Sequence, residues 1–280
     1  CLVGSEMCMR DSFTGAADKS VDVITEDNEV VDIIVNVLDN LTSESGDTGS
    51  FEINLTTEPL SDVFIELTST NELEGVLSTS VISFNATNWN IPQVVIVTGV
   101  DDDPPVSDGA ADYIIVTGNV SSTDDNYGLL DGSTVDDVNM SNQDNDSPGI
   151  ILTVLNDDFS TSESGDYVVV QFSLLSKPDG GESVTIPLSL DGPANEMDLS
   201  ADSITILADN WDNPSSNVVT ITGIDELFAD GNQELILITG DPTSVSPFYD
   251  AIGADDVSNP TLTNEDDDVA QVVFNLSDNV

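Results

Sequence analysis

The feature that most restricts what this chain can fold into is that it says the same thing twice. TSESGD at 42–47 returns as TSESGD at 161–166, which places Glu44 and Glu163 119 residues apart. NWNIPQVVIVTGVDD from Asn88 returns as NWDNPSSNVVTITGIDE from Asn210, with Trp89 and Trp211 122 residues apart. Asp108-Gly109 answers Asp230-Gly231, Asn126-Tyr127 answers Phe248-Tyr249, and Asp136-Asp137-Val138 answers Asp255-Asp256-Val257. Self-similarity at a fixed spacing means one structural unit used twice.

Within a unit the segments at 50–55, 62–68, 81–85, 93–98 and 113–116 are short, rich in β-branched residues and separated by Gly, Pro, Asn and Asp, which is the pattern of strands and turns. No segment carries a capped helical period. A unit of this size matches a seven-stranded sandwich with longer loops, so the expectation is all-β: two tandem Greek-key, Ig-like antiparallel β-sandwiches with extra terminal strands. The expected divisions are an N-terminal segment 1–29 carrying an intersubunit strand, a first repeat 30–146, a second repeat 147–268 and an orphan strand in 269–280. The extra strands follow from three versions of one junction, starting at Ile24, Met140 and Leu262, for only two bodies. One reading is a longer array cut at convenient places; the other is an open edge that pairs with a neighbouring subunit.

Charge decides the company such a chain can keep. Fifty-four Asp and Glu face three basic residues, Arg10, Lys19 and Lys177, for a net charge of −51 with no histidine. Self-repulsion of this size opposes compaction unless cations condense on the surface or occupy sites. Nucleic acid and anionic membrane are excluded as partners for want of Lys and Arg clusters. The apolar runs are too short to span a bilayer. Without His there is no common general base and no nucleophilic triad, and no glycine-rich loop enters a helix, so an enzyme is not expected.

The acids cluster at repeated places. Asp101, Asp102 and Asp103 with Asp108 and Asp112 lie in the first unit, and Asp225 and Glu226 with Asp230 and Glu234 in the second. Further clusters mark the junctions: Glu26, Asp27 and Glu29; Asp144 and Asp146; then Glu265, Asp266, Asp267 and Asp268. Crowded carboxylates either stay solvated or enclose a cation, and Ca²⁺ suits them, since it takes six to eight oxygens where Zn²⁺ prefers His and Cys. Asp22, Asp47 and Asp62 stand alone and read as turn or surface residues. Trp89 and Trp211 read as packing residues, with carbohydrate stacking as the alternative.

The order strand, SESG, strands, V-x-x-G-x-D-D, D-G-x-x-E/D, strand and terminal Asp cluster resembles the Calx-beta domain and its bacterial surface relatives. GIDELFADGNQELILITG at 223–240 carries the closest likeness; the first unit departs from it with Asp112 where the second has Glu234. The resemblance implies calcium at one end of each sandwich. In the first unit it would be held by Glu44, Asp101, Asp102, Asp108, Asp144 and Asp146, and in the second by Glu163, Asp225, Glu226, Asp230, Asp266 and Asp268.

These readings converge on an extracellular or cell-surface structural protein, a subunit of a fibre or filament that self-associates into a polymer through its terminal strands. The alternatives are a spacer or ligand-binding segment of a calcium-dependent adhesin, with a surface or glycan ligand, and, more distantly, an accessory domain of a secreted enzyme. Cys1 resembles the lipid-modified first residue of mature bacterial lipoproteins; a disulfide with Cys8 or across subunits, or a cloning boundary, is the other reading.

Overall fold

The computed structural model describes residues 28–155 and 158–273. Cys1, Cys8, Asp22, Glu26, Asp27 and most of the expected terminal strand segments lie outside them. Ten strands build the first unit: β1 (Ile33–Asp39), β2 (Leu41–Ser43), β3 (Thr48–Leu55), β4 (Val63–Ser69), β5 (Gly75–Leu77), β6 (Val81–Phe84), β7 (Gln93–Gly99), β8 (Val106–Ser107), β9 (Ala111–Ser122) and β10 (Val138–Gln143). Eleven build the second: β11 (Ile150–Val154), β12 (Ser160–Ser162), β13 (Tyr167–Leu174), β14 (Lys177–Pro178), β15 (Ser183–Asp191), β16 (Met197–Leu199), β17 (Ser203–Leu207), β18 (Val218–Gly223), β19 (Gln233–Thr239), β20 (Thr243–Ser244) and β21 (Thr261–Glu265). Val269 to Val273 carry no strand.

Each unit is a two-sheet sandwich. In the first, β1-β3-β7-β5 faces β2-β10-β9-β4-β6; in the second, β11-β13-β18-β16 faces β12-β21-β19-β15-β17, with β20 beside β15. Alternation does the folding work. Along β4 the residues run buried and exposed in strict turn, so Val63, Ile65 and Leu67 enter the core while Phe64 and Glu66 face out. Phe51, Phe84 and Tyr113 anchor the first core, and Phe172, Ile206 and Leu237 the second. Trp89 and Trp211 pack against their own cores, and their carbonyls accept from Leu55 N at 2.9 Å and Leu174 N at 2.8 Å.

The Tyr127 and Tyr249 pairing holds in three dimensions. Each phenol is buried and donates to a backbone carbonyl on the far side of its sandwich, Thr57 O at 2.8 Å and Ser176 O at 2.5 Å. The pairing of Asp136-Asp137-Val138 with 255–257 does not hold. Thr117 N donates to Asp137 Oδ1 at 2.9 Å and Thr239 N to Asn259 Oδ1 at 3.0 Å, so Asp137 corresponds to Asn259 and buried Val135 to buried Val257. The sequence match aligns a run of acids with a run of acids, whereas the register follows the side chain that caps the bend.

One departure from antiparallel pairing positions everything at the acidic end. The opening strand changes sheets after one residue, and its second part, β2, runs parallel to β10, with Ser43 opposite Gln143; β12 repeats this against β21, with Ser162 opposite Glu265. Two parallel strands finish at the same end, so the residues that follow them emerge side by side. Those residues are Glu44 beside Asp144, and Glu163 beside Asp266.

Candidate metal centre

The SESG turn holds the glutamate in place. Gly46 N donates to Ser43 O at 2.9 Å and Gly165 N to Ser162 O at 3.0 Å, closing a turn whose final residue has φ of +86° or +88°, a conformation that favours Gly. Ser43 Oγ adds a bond to Asp47 Oδ2 at 2.9 Å, so Asp47 serves the turn. The Glu44 and Glu163 amides then bond Gln143 O at 3.0 Å and Glu265 O at 3.2 Å, which leaves both glutamates buried at the sandwich end.

The last strand supplies the rest through a loop in which three bonds recur. Glu44 Oε2 accepts from Asn145 N at 2.8 Å, and Glu163 Oε2 from Asp267 N at 3.3 Å. Asp144 Oδ1 accepts from Asp146 N at 2.6 Å, and Asp266 Oδ1 from Asp268 N at 2.8 Å. Their second oxygens reach across to the acidic loop: Asp144 Oδ2 accepts from Gly109 N at 2.7 Å, and Asp266 Oδ2 from Gly231 N at 2.6 Å. One carboxylate thus latches each loop shut over the site.

Ligand atoms of Glu44, Asp102 and Asp108 lie within 4.8 Å of one another, as do those of Glu44, Asp144 and Asp146. In the second unit the same holds for Glu163, Glu226 and Asp230, and for Glu163, Asp225 and Asp267. Glu44 and Glu163 are the shared members. Asp101 falls outside these groups and accepts from Asn145 Nδ2 at 3.3 Å. Asp266 and Asp268 also fall outside these groups, although Asp266 makes the same two bonds as Asp144, and Asp112 is exposed on β9 opposite Ser141.

Burial and mutual repulsion raise these acids. Burial first, and then Asp144, Asp102 and Asp146, push Glu44 to about 7, although the Asn145 amide pulls the other way. Asp108 is pushed to about 6 by burial, then by Asp102, Asp144, Glu74 and, from the second unit, Asp179. Asp102 and Asp146 are also raised, chiefly by burial. Glu163, Glu226 and Asp268 move the same way for the same leading reason.

Two atoms decide what would relieve this. Asp146 Oδ2 and Asp268 Oδ2, at equivalent positions, are buried without a hydrogen-bond partner. A buried carboxylate oxygen left alone is costly, and the same cost in both units points to a missing partner that accepts lone pairs. A hard cation with oxygen ligands fits both the donor set and the orphans, whereas sites preferring nitrogen or sulfur find no ligand here. Residues able to hold it are Glu44, Asp102, Asp108, Asp144 and Asp146, and in the second unit Glu163, Asp225, Glu226, Asp230, Asp267 and Asp268.

Four supporting residues escaped the reading of the sequence. Asn142, buried on β10, donates to Val100 O at 2.9 Å and Glu74 Oε2 at 3.1 Å and accepts from Thr42 Oγ1 at 2.9 Å. Asn264 repeats this with Glu196 O at 2.9 Å and Thr161 Oγ1 at 2.9 Å. Each Asn shares the end of the sandwich with a glycine, Gly99 or Gly223, where a side chain would overlap the Ser43 or Ser162 carbonyl. Glu74 and Glu196, like Asn142 and Asn264, stand 122 residues apart, the spacing of the tryptophans, and that spacing could have found them.

The first unit's loop also makes the join between units. Its β8 runs parallel to β14 of the second unit, Val106 opposite Lys177, and Lys177 N donates to Pro105 O at 2.8 Å. The Phe248 ring lies over Gly109, so close that a Cβ there would come within 2.8 Å of Cζ.

No family model matches the chain, and no curated protein does. Among solved structures it is similar to the calcium binding domain CBD12 of CALX1.1, at 13% identity and TM-score 0.31 over 83% of this chain and 99% of that one. It is similar also to CBD12 from CALX1.2, at 13% identity and TM-score 0.31 over 74% and 80%. The D0-D1 domain of Intimin aligns at 10% identity and TM-score 0.25 over 83% and 97%. These are likenesses of fold class alone.

Proposed function

We propose that this chain is an extracellular, non-catalytic structural protein whose two sandwiches each bind calcium at one end, and that it serves as a self-assembling subunit of a surface fibre. The observation that carries the calcium reading is the matched pair of orphaned oxygens, Asp146 Oδ2 and Asp268 Oδ2, each beside carboxylates gathered around a buried glutamate, Glu44 or Glu163. Bound calcium would supply positive charge to carboxylates that burial and repulsion otherwise hold partly protonated. It would also make the apo protein the less stable form. In the first unit the loop bearing Asp102 and Asp108 also carries β8, so filling that site would fix the strand that joins the units.

The fibre reading is supported by the tandem design, by a charge of −51 that demands counter-ions, and by the exposed Leu227 and Phe228 on the second unit's acidic loop. Calorimetric titration of chelator-treated protein with Ca²⁺ tests the cation, with two binding events expected; no heat and no change in melting would remove it. Electron microscopy of the purified chain in calcium tests assembly, with polymers expected and isolated rods favouring an adhesin spacer.

A further inference from the structure

The join between the two units is visible, and each half of it recurs in the other unit with no partner among the described residues. The half contributed by the first unit is its acidic loop; the second unit's counterpart, between Asp225 and Asp230, projects Leu227 at 87% exposure and Phe228 at 71%. The half contributed by the second unit is the segment Leu175-Ser176-Lys177-Pro178 with Phe248. Its counterpart in the first unit is Thr56-Thr57-Glu58-Pro59 with Asn126. Register supports the match: Leu55 and Leu174 pair with the first residues of β1 and β11, and Thr57 and Ser176 receive the two buried tyrosine phenols.

The unpartnered halves differ from the joined ones in ways that complement each other. At the join the seat supplies the aromatic, Phe248, to a glycine of the loop. At the free seat Asn126 stands in its place and leaves a groove of about 290 Å³, lined by residues that include Val31, Thr57, Leu60 and Tyr127. At the free loop the aromatic is on the other side, as Phe228. Leu60, at the rim of the groove, is 88% exposed. An exposed Leu-Phe pair at one end and an open groove with an exposed Leu at the other fit a contact made between molecules.

Charge differs too. Lys177, the one basic residue among those described, sits in the joined seat, and Glu58 takes its position in the free one. An acidic loop meeting an acidic seat is repelled unless a cation lies between them.

We propose that the Leu227–Phe228 loop of one molecule docks in the groove beside Glu58 of a second copy, repeating the internal join between chains in a calcium-dependent, head-to-tail contact. It rests on the reading of the chain as a self-assembling subunit and names the surface that does it. A contact between different patches with no two-fold symmetry propagates into an open filament.

The test is sedimentation of the full chain across a concentration series, in calcium and in chelator. The wild type is expected to grow with concentration in calcium and to stay monomeric in chelator. Phe228→Asp, at an exposed position, should weaken association at least about 10-fold at saturating calcium. Asn126→Trp, which fills the groove, should do the same. Mixing the two variants restores one good contact and should give dimers that grow no further, a result that a merely unfolded variant cannot produce. Glu58→Lys should associate without calcium. Polymers that persist undiminished in Phe228→Asp would overturn this joint and leave the fibre reading standing. A wild-type chain that stays monomeric in calcium would overturn both, and a Glu58→Lys variant that still requires calcium would overturn the role given to Glu58.

Discussion

The two acidic ends hold nearly the same carboxylates on the same hydrogen bonds, and they differ in what lies beyond them. The first is walled by the second unit: Lys177 bonds its loop, Phe248 covers Gly109, and Asp179 adds to the repulsion felt by Asp108. The second faces outward, and its loop shows Leu227 and Phe228 to solvent. Among the described residues, one motif therefore appears once as part of a joint and once as a free end. The free end reports what the cluster does alone, and the buried one reports what it does to the join.

Removing one glutamate at a time should give the largest separation between them. Glu44 and Glu163 each belong to both carboxylate groupings of their unit, so Glu44→Gln and Glu163→Gln should each abolish one calcium-binding event in calorimetry. At free calcium 100 times the dissociation constant, each lost site forfeits about 2.7 kcal/mol of stabilisation, read as a lower melting temperature. Only Glu44→Gln should also loosen the arrangement of the two units, measured by the distance between spin labels placed one in each. Equal loosening by both variants would mean that the join does not depend on the first site.

Next in size are the asparagines. Asn142→Ala and Asn264→Ala each remove a buried side chain that bridges the opening strand, the acidic loop and a glutamate, at an expected cost of about 2–3 kcal/mol in urea unfolding. Asn264→Ala should cost more, because its partner Glu196 is buried whereas Glu74 is only half-buried.

That these asparagines went unread says where the sequence stops being informative. The sandwich class, the strand runs and the tandem were legible because alternation and turn residues act locally, as β4 illustrates. The membership of Glu44 and Glu163 was legible only through the repeat and the resemblance, since nothing local distinguishes a glutamate in SESG. Asn142 and Asn264 carry no charge and sit among acids that draw the eye, and their role depends on a parallel pairing about 100 residues away in sequence. The misplaced match of 136–138 failed for the same reason: an acid run resembled an acid run, while Asp137 corresponds to Asn259. The join could not be read at all, since Pro105 and Lys177 signal nothing until the units stand together.

Acidity offers a smaller effect with a definite sign. In the folded apo protein Glu44 rises from its ordinary 4.5 to about 7, and Asp108 from 3.8 to about 6. A folded value above the unfolded one favours folding fully below the unfolded value, and that contribution is lost as pH rises through the folded value. Melting of the calcium-free chain should accordingly fall as pH climbs from about 4.5 to about 7. In calcium the slope should reverse over the same range, because protons then compete with the cation. Glu44→Gln should flatten the chelator profile more than Glu163→Gln does, with differential scanning calorimetry as the readout.

The smallest effect bears on the join itself. Tyr127 and Tyr249 spend their phenols on the same task, bonding the backbone of Thr57 and Ser176. Removing either hydroxyl should cost about 1 kcal/mol of its own unit's stability, since one buried bond is lost and its carbonyl partner is left under-satisfied. Their surroundings are not equivalent. Ser176 immediately precedes Lys177, whose amide holds Pro105 of the other unit at 2.8 Å, and Phe248 immediately precedes Tyr249. Tyr249 therefore fixes both the strand and the ring that receive the first unit, while Tyr127 fixes a seat that no other described residue fills. Tyr249→Phe should shift the inter-unit distance distribution and lower calcium affinity at the first site slightly, and Tyr127→Phe should leave both alone. If the two variants behave identically, the join is held by β8 and β14 alone, and the corner behind it is only a brace for its own sandwich.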